Sequence, residues 1–316
     1  MGGIKIGIGF GLFRLGMPSP EAICDYAERA EDLGLDSIWL SDHMVSRRPT
    51  LEIACVMSMF AARTKRIKMG PSVLTLPARN PVEVAKTYAT LDYLTGGCRR
   101  VIMAVGIGSD PRDCLANGVP VDERGGRLAE GVEVLRKLWS SPSVTHEGKY
   151  YRFADVTIDP RPAHGPLDIW VGGRSPLALK RVARYGDGWF PSFITAEEFT
   201  SGMTQLKQFG AERGRSIDED EAGVVLLAHV SADGDVSRDA LERTAQALGI
   251  PADALAERAA FGSLEAVGER VQAYVDAGCT KFVLWPIGTP DDLLPQITAF
   301  ARLNPVATGN GKRASA

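Results

Sequence analysis

The sequence predicts an α/β protein, a (β/α)8 TIM barrel with insertions, carried on a single domain over residues 1–303. Three observations point there. Short apolar, strand-like runs alternate with stretches of helical periodicity about eight times. Helix-start residues follow several of those runs closely. No Pro/Gly/Ser linker divides the 316 residues, a length that suits one large barrel or two smaller domains. A doubly wound open sheet is the runner-up.

The elements follow in order. Residues 4–10 read as a buried strand. Ser19-Pro20-Glu21 opens a helix, because serine caps, proline fits the first turn and glutamate suits the positive end. Ile23, Tyr26, Ala27, Ala30 and Leu33 recur at helical spacing until Gly34. Residues 37–40 form a second strand and 50–62 a second helix. Residues 66–74 form a third strand, and Asn80-Pro81-Val82-Glu83 starts the helix behind it. Residues 100–105 are a fourth strand, followed by a helix carrying Leu128, Val132, Leu135 and Trp139. An inserted hairpin or loop interrupts the alternation near 144–158. Strands at 167–171, 188–190 and 222–230 resume it, with helices starting at Ser175-Pro176 and at the Thr195–Glu198 capping box. Residues 232–262 read as a less regular insertion. Val267, Val271, Tyr274 and Val275 mark a helix, 281–285 a last strand and 291–300 a last helix. The polar tail, 304–316, is expected to be disordered.

Composition narrows the function. Hydrophobic residues make up 45% and charged residues 24%, an ordinary globular balance that needs neither disulfides nor metal. A net charge of −3 gives no electrostatic case for nucleic acid. Five dispersed cysteines without a CxxC pair suggest reduced thiols and a cytoplasmic location. Four histidines, none paired at ligand spacing, argue against a metal site. No apolar stretch approaches a membrane span, and the N-terminus does not read as a secretion signal.

In such barrels functional groups gather at the carboxyl ends of the strands. That rule nominates Asp42-His43, Ser72-Val73, Gly106-Ile107-Gly108-Ser109 and Gly172-Gly173-Arg174-Ser175. Gly172-Gly173 directly precedes a helix start, where backbone N–H groups suit a phosphate; a tight turn explains the same spacing. Gly106-Ile107-Gly108 is half of a dinucleotide fingerprint, with Pro111 where the third glycine belongs and a fourth strand, not the first, before it; that signal is weak, and a loop giving a flat ring close access to backbone is a plausible use. His43 could move a proton or hydrogen-bond a ligand, or be a structural partner of Asp42. Asp42 in turn could orient His43 or cap the next segment. Trp39, Trp189 and Phe190 could wall a ring cavity, although core is the commoner role. Arg47-Arg48 lies on a loop of the same face, where an anionic group could pass, though surface solvation is the usual role of such a pair. His146, His164 and His229 read as structural or exposed.

Five stretches then line up in order with one family: AERAEDLGLDSIWLSDH at 27–43, TKRIKMGPSVLTLPARNPVEVAKTYATLD at 64–92, AVGIG at 104–108, GKYYRF at 148–153 and VGGRSPLALKRVARYGDGWFP at 171–191. Over nearly its whole length the chain resembles the luciferase-like monooxygenase superfamily, and within it the branch using the deazaflavin coenzyme F420. The resemblance implies a bacterial-luciferase-like barrel holding the deazaflavin ring on its top face. It implies a non-proline cis peptide at Ser72-Val73, with Val73 behind the ring, and the cofactor phosphate at Gly172-Gly173, where Arg174 and Ser175 begin the helix. Asp42 and His43 would stand beside the ring, Gly106, Ile107 and Gly108 along its edge, and Thr75 and Leu76 along the channel.

The resemblance also implies an oxidoreductase that exchanges hydride between F420 and a small organic substrate, with His43 and Asp42 as the catalytic pair. Two departures argue against glucose-6-phosphate: Ser109 stands where the sugar-phosphate subgroup has glutamate, and Met44-Val45-Ser46-Arg47 lacks that subgroup's tryptophan. The alternatives are an FMN-dependent monooxygenase using oxygen and a non-catalytic flavin-binding protein. The Asp187-Gly188-Trp189 run leans toward deazaflavin. A homodimer is expected, with no nucleic-acid or membrane partner.

Overall fold

A computed structural model describes residues 3–303 apart from 12, 14, 47, 48, 217 and 218. Arg47-Arg48 and the tail at 304–316 therefore lie outside the described residues. Eight strands are each followed by a helix: β1 Lys5–Phe10 and α1 Pro20–Asp32, β2 Ser37–Leu40 and α2 Ile53–Arg63, β3 Lys68–Pro71 and α3 Pro81–Leu94, β4 Met103–Gly106 and α4 Arg124–Ser140. The second half repeats the pattern with β5 Ile169–Gly172 and α5 Pro176–Tyr185, β6 Gly188–Phe190 and α6 Ala196–Ala211, β7 Gly223–Val230 and α7 Leu264–Asp276, β8 Lys281–Pro286 and α8 Leu293–Ala301.

The strands pair in parallel. One ladder runs β7–β8–β1–β2–β3, and a second joins Leu74–Thr75, β4, β5 and β6. Single parallel bridges join the two sheets at both seams, Met69 to Val101 on one side, Trp189 to Ala222 and Ser192 to Val225 on the other. The eight strands thus follow one another round a ring in chain order, the arrangement of a TIM-type barrel.

The helix starts follow the local chemistry of the sequence. Ser19, Asn80, Ser175 and Thr195 each accept a backbone N–H of the first turn, and Thr195 with Glu198 closes a reciprocal capping box. Two cores result from the period-two alternation of the strands. Val224, Leu226 and Ala228 of β7 face outward and join Tyr26, Phe60, Trp139 and Tyr274 of the helices. Val225 and Leu227 face inward with Trp39, Trp170, Phe190 and Trp285. The indole of Trp285 lies where a Cβ on Gly9 would be, 2.1 Å from the nearest ring atom, so only glycine fits at that place on β1.

The two insertions differ in outcome. Val144–Glu147 and Arg152–Val156 form an antiparallel hairpin. It is anchored by Glu130 of α4, whose carboxylate accepts the N–H groups of Lys149, Tyr150 and Tyr151. The stretch at 232–262, expected to be less regular, instead contains a helix, Gly234–Leu248. Asp233 caps it by accepting the N–H groups of Asp235 and Val236, and Gly249 ends it with φ +72°. Its polar composition hides a narrow apolar stripe, in which Leu241, Ala245 and Leu248 pack onto the barrel interior. Beyond it, Ala260–Gly262 pairs in parallel with β7. Among the described residues no helix is long and apolar enough to cross a membrane.

Candidate active site

A cavity of about 700 Å³ opens at the carboxyl ends of the strands. That is within the ordinary range of small-molecule sites. Its lining brings together Asp42 and His43 after β2, Ser72, Val73 and Thr75 after β3, and Gly106, Ile107 and Gly108 at the end of β4. Gly172, Gly173 and Arg174 at the end of β5 complete the set. Ser175 stands one residue beyond, where its hydroxyl caps α5 by accepting the N–H of Ala178.

Val73 shapes one wall. The Ser72–Val73 peptide bond is cis, as the resemblance implied. A Cβ on Gly106 would come within 2.5 Å of Val73 Cγ2, and one on Gly172 within 3.0 Å of Val73 Cγ1. Val73 therefore sits between two strand ends that carry no side chain, a close approach that glycine permits. At the next turn Gly173 adopts φ +113° shortly before α5 begins at Pro176. Arg174 folds back and donates to the carbonyl of Phe193.

Asp42 holds this arrangement together. Its side chain is only 3% exposed; one oxygen accepts the N–H of Thr75 at 2.8 Å and the other accepts Arg79 Nη2 at 2.6 Å. Burial pushes the Asp42 carboxyl above its ordinary value, while Arg79 and the Thr75 N–H pull it back. Both oxygens are thus committed away from His43. The carboxylate that faces the His43 ring belongs to Asp113, 3.6 Å from Nδ1, on a short helix, Pro111–Leu115. Asp113 carried no signal in the sequence, because its approach to His43 depends on how the loop after β4 folds over the barrel.

The aromatic residues divide. Phe190 lines the cavity, whereas Trp39 and Trp189 are buried away from it, and Trp189 Nε1 donates to the carbonyl of Gly173. Phe193, Val225, Leu227, Leu248 and Trp285 form a largely apolar far wall. The alternation along β7 and β8 could have marked Val225, Leu227 and Trp285 as inward-facing; Leu248 comes from the insertion. Asp187 works at the opposite end of the barrel, accepting the Ile169 N–H and Arg136. His146 pairs with Glu130, His229 Nδ1 contacts the Ile287 carbonyl, and His164 is exposed. Among the described residues no group of three metal-ligating side chains converges.

The family model described as luciferase-like monooxygenase matches residues 3–248. An F420-dependent glucose-6-phosphate dehydrogenase of Amycolatopsis mediterranei is 35% identical over 64% of this chain and 62% of its own length, so that match spans under two thirds of the relative. One of the same description from Kineococcus radiotolerans is 32% identical over 84% of this chain and 87% of the relative. Among solved structures, an F420-dependent secondary alcohol dehydrogenase in complex with an F420–acetone adduct superposes with a TM-score of 0.82 at 22% identity, covering 97% of this chain and 99% of that one. That likeness shows the fold. On the match over residues 3–248 and the extent of these alignments, the chain belongs to the luciferase-like monooxygenase family.

Proposed function

We propose that the protein is an F420-dependent oxidoreductase acting on a small, uncharged alcohol or carbonyl compound. The observation that carries the reading is the cradle around Val73, placed between Gly106 and Gly172 with His43 across the same cavity, in a chain whose relatives are F420-dependent dehydrogenases. The two glycines remove the side chains that would stand against a flat ring, and the start of α5 after Gly173 suits its phosphate.

The deazaflavin, when bound, supplies two-electron hydride chemistry. The protein's own residues do the rest. Val73 would support the ring, and Gly106, Ile107 and Gly108 would border it. Ser72 and Thr75 line the same pocket, while Arg174 and Ser175 shape the phosphate end. Asp42, through Thr75 and Arg79, keeps the end of β2 fixed to the segment after β3. With Nδ1 of His43 turned toward Asp113, Nε2 is left for the substrate oxygen. In alcohol oxidation Nε2 would take the hydroxyl proton, and in the reverse direction it would return it. The apolar far wall, from Phe193 to Trp285, excludes water and favours an uncharged substrate. It gives no support to a sugar phosphate, in keeping with Ser109 and the tryptophan-free loop after His43, the two departures from that subgroup.

Parallel titrations with F420 and FMN, followed by fluorescence, test the cofactor. Micromolar or tighter binding of F420 is expected; tight binding of FMN alone would replace this reading with an oxygen-using one. His43→Ala is expected to bind F420 normally and lose turnover. Normal turnover in that variant would remove the proton-transfer role, and F420 binding without turnover on a broad alcohol and ketone panel would favour a carrier. Five free thiols fit a reducing cytoplasm. Exposed Tyr93 and Leu94 at the end of α3 fit a homodimer, which sedimentation at micromolar concentration would test.

A further inference from the structure

We infer that Asp113 is the positioning residue for His43: it keeps the imidazole proton on Nδ1, so that Nε2 faces the cavity as a proton acceptor. The inference rests on the proton-transfer reading of His43 for its function, but the geometry stands on its own.

Asp113 is fully buried, which is rare for a carboxylate that lacks a complete set of partners. Its Oδ1 accepts the backbone N–H of Val45 at 2.7 Å, fastening the loop that follows His43. Its Oδ2 has no hydrogen-bond partner among the described residues, and it faces His43 Nδ1 at 3.6 Å. A carboxylate can only accept, so the ring nitrogen that meets it must carry the hydrogen. At 3.6 Å the contact is just beyond a hydrogen bond. The His43 side chain is 30% exposed, which leaves the ring room for the small rotation that would close it.

The other charges nearby are already engaged. Asp110, which caps the same short helix, is held by the guanidinium and backbone N–H of Arg112 and stays ionised down to about 2. Asp42, at the end of β2, is taken by Thr75 and Arg79. Asp113 alone among these carboxylates has an oxygen free for His43.

The test is nitrogen NMR of the four histidines in the cofactor-free protein, with His43 assigned by its loss in His43→Gln. In its neutral form wild-type His43 is expected to carry its hydrogen on Nδ1. In Asp113→Asn the preference for that tautomer is expected to be lost. Asp113→Glu is expected to restore it in part. A wild-type ring with hydrogen on Nε2, or an unchanged tautomer in a folded Asp113→Asn protein, would overturn the inference. The wild-type spectrum decides even if Asp113→Asn fails to fold. Failure here with turnover still dependent on His43 leaves the proposed function standing. The expected spectra with turnover indifferent to His43 would keep the positioning role and remove the catalytic one.

Discussion

Val73 and Gly106 approach so closely that a single added methyl group on Gly106 would lie 2.5 Å from Val73 Cγ2. Val73 cannot simply move away, because Gly172 bounds it on the other side with only 3.0 Å to an added Cβ. Gly106→Ala must therefore displace Val73 into the cavity or spread β4 from the segment after β3. Overpacking of this kind costs about 1–3 kcal/mol. If that cost falls on the cofactor site, F420 affinity drops about tenfold or more. Fluorescence titration checks this, and Val73→Ala in the same chain should recover part of the affinity by restoring the space.

Asp42 is expected to matter for stability before it matters for chemistry. Asp42→Ala leaves Arg79 and the Thr75 N–H without their buried acceptor. Breaking a buried pair from one side typically costs about 3–5 kcal/mol. Urea unfolding should show a loss near the lower end, because Arg79 also reaches Glu52 at 3.4 Å. In an Arg79→Ala background the same substitution should cost clearly less, since no charge is then stranded. The coupling between the two sites is the quantity to measure.

These two residues also show what the sequence made legible. The barrel could be read because strand alternation, helix caps and inward-facing positions are local signals, each carried by residues such as Ser19, Asn80 and Thr195. Asp42-His43, Ser72-Val73 and Gly172-Gly173 could be placed because strand ends in a barrel converge on one face. The partners of Asp42 and His43 could not. Thr75 and Arg79 lie 33 and 37 positions from Asp42, and Asp113 lies 68 from Val45; each pairing depends on where a loop settles. The helix at Gly234–Leu248 was obscured differently, because its buried stripe is small and its remaining faces are charged.

Glu31 gives a pH-dependent prediction away from the site. Its carboxylate, at the end of α1, accepts the N–H groups of Lys65, Arg66 and Ile67 just before β3. Burial pushes its carboxyl up, but these N–H groups outweigh it and hold the group below its ordinary value. A carboxylate depressed in the folded state adds stability above its unfolded pKa, and that stability is lost as pH falls through the folded value. Glu31→Gln should therefore cost about 1–2 kcal/mol at pH 7. The difference from wild type should shrink below about pH 4. Urea midpoints at both pH values check it, and F420 binding at pH 7 should be unchanged.

The helix from Gly234 to Leu248 is the part of the cavity wall most open to local control. Leu248 lines the cavity, yet the helix is fastened at its start mainly by Asp233, which accepts the N–H groups of Asp235 and Val236. Losing such a cap costs about 1 kcal/mol. The cost should fall on this helix rather than on the barrel, whose ladders and outer helices make separate contacts. In Asp233→Ala, amides of the helix should exchange about fivefold faster, while those of β1 and β8 keep their wild-type rates. Hydrogen exchange read by mass spectrometry separates the two cases. Equal acceleration in β1, β8 and the helix would mean that the insertion opens only with the whole barrel, and Leu248 would then be as fixed a part of the wall as Trp285.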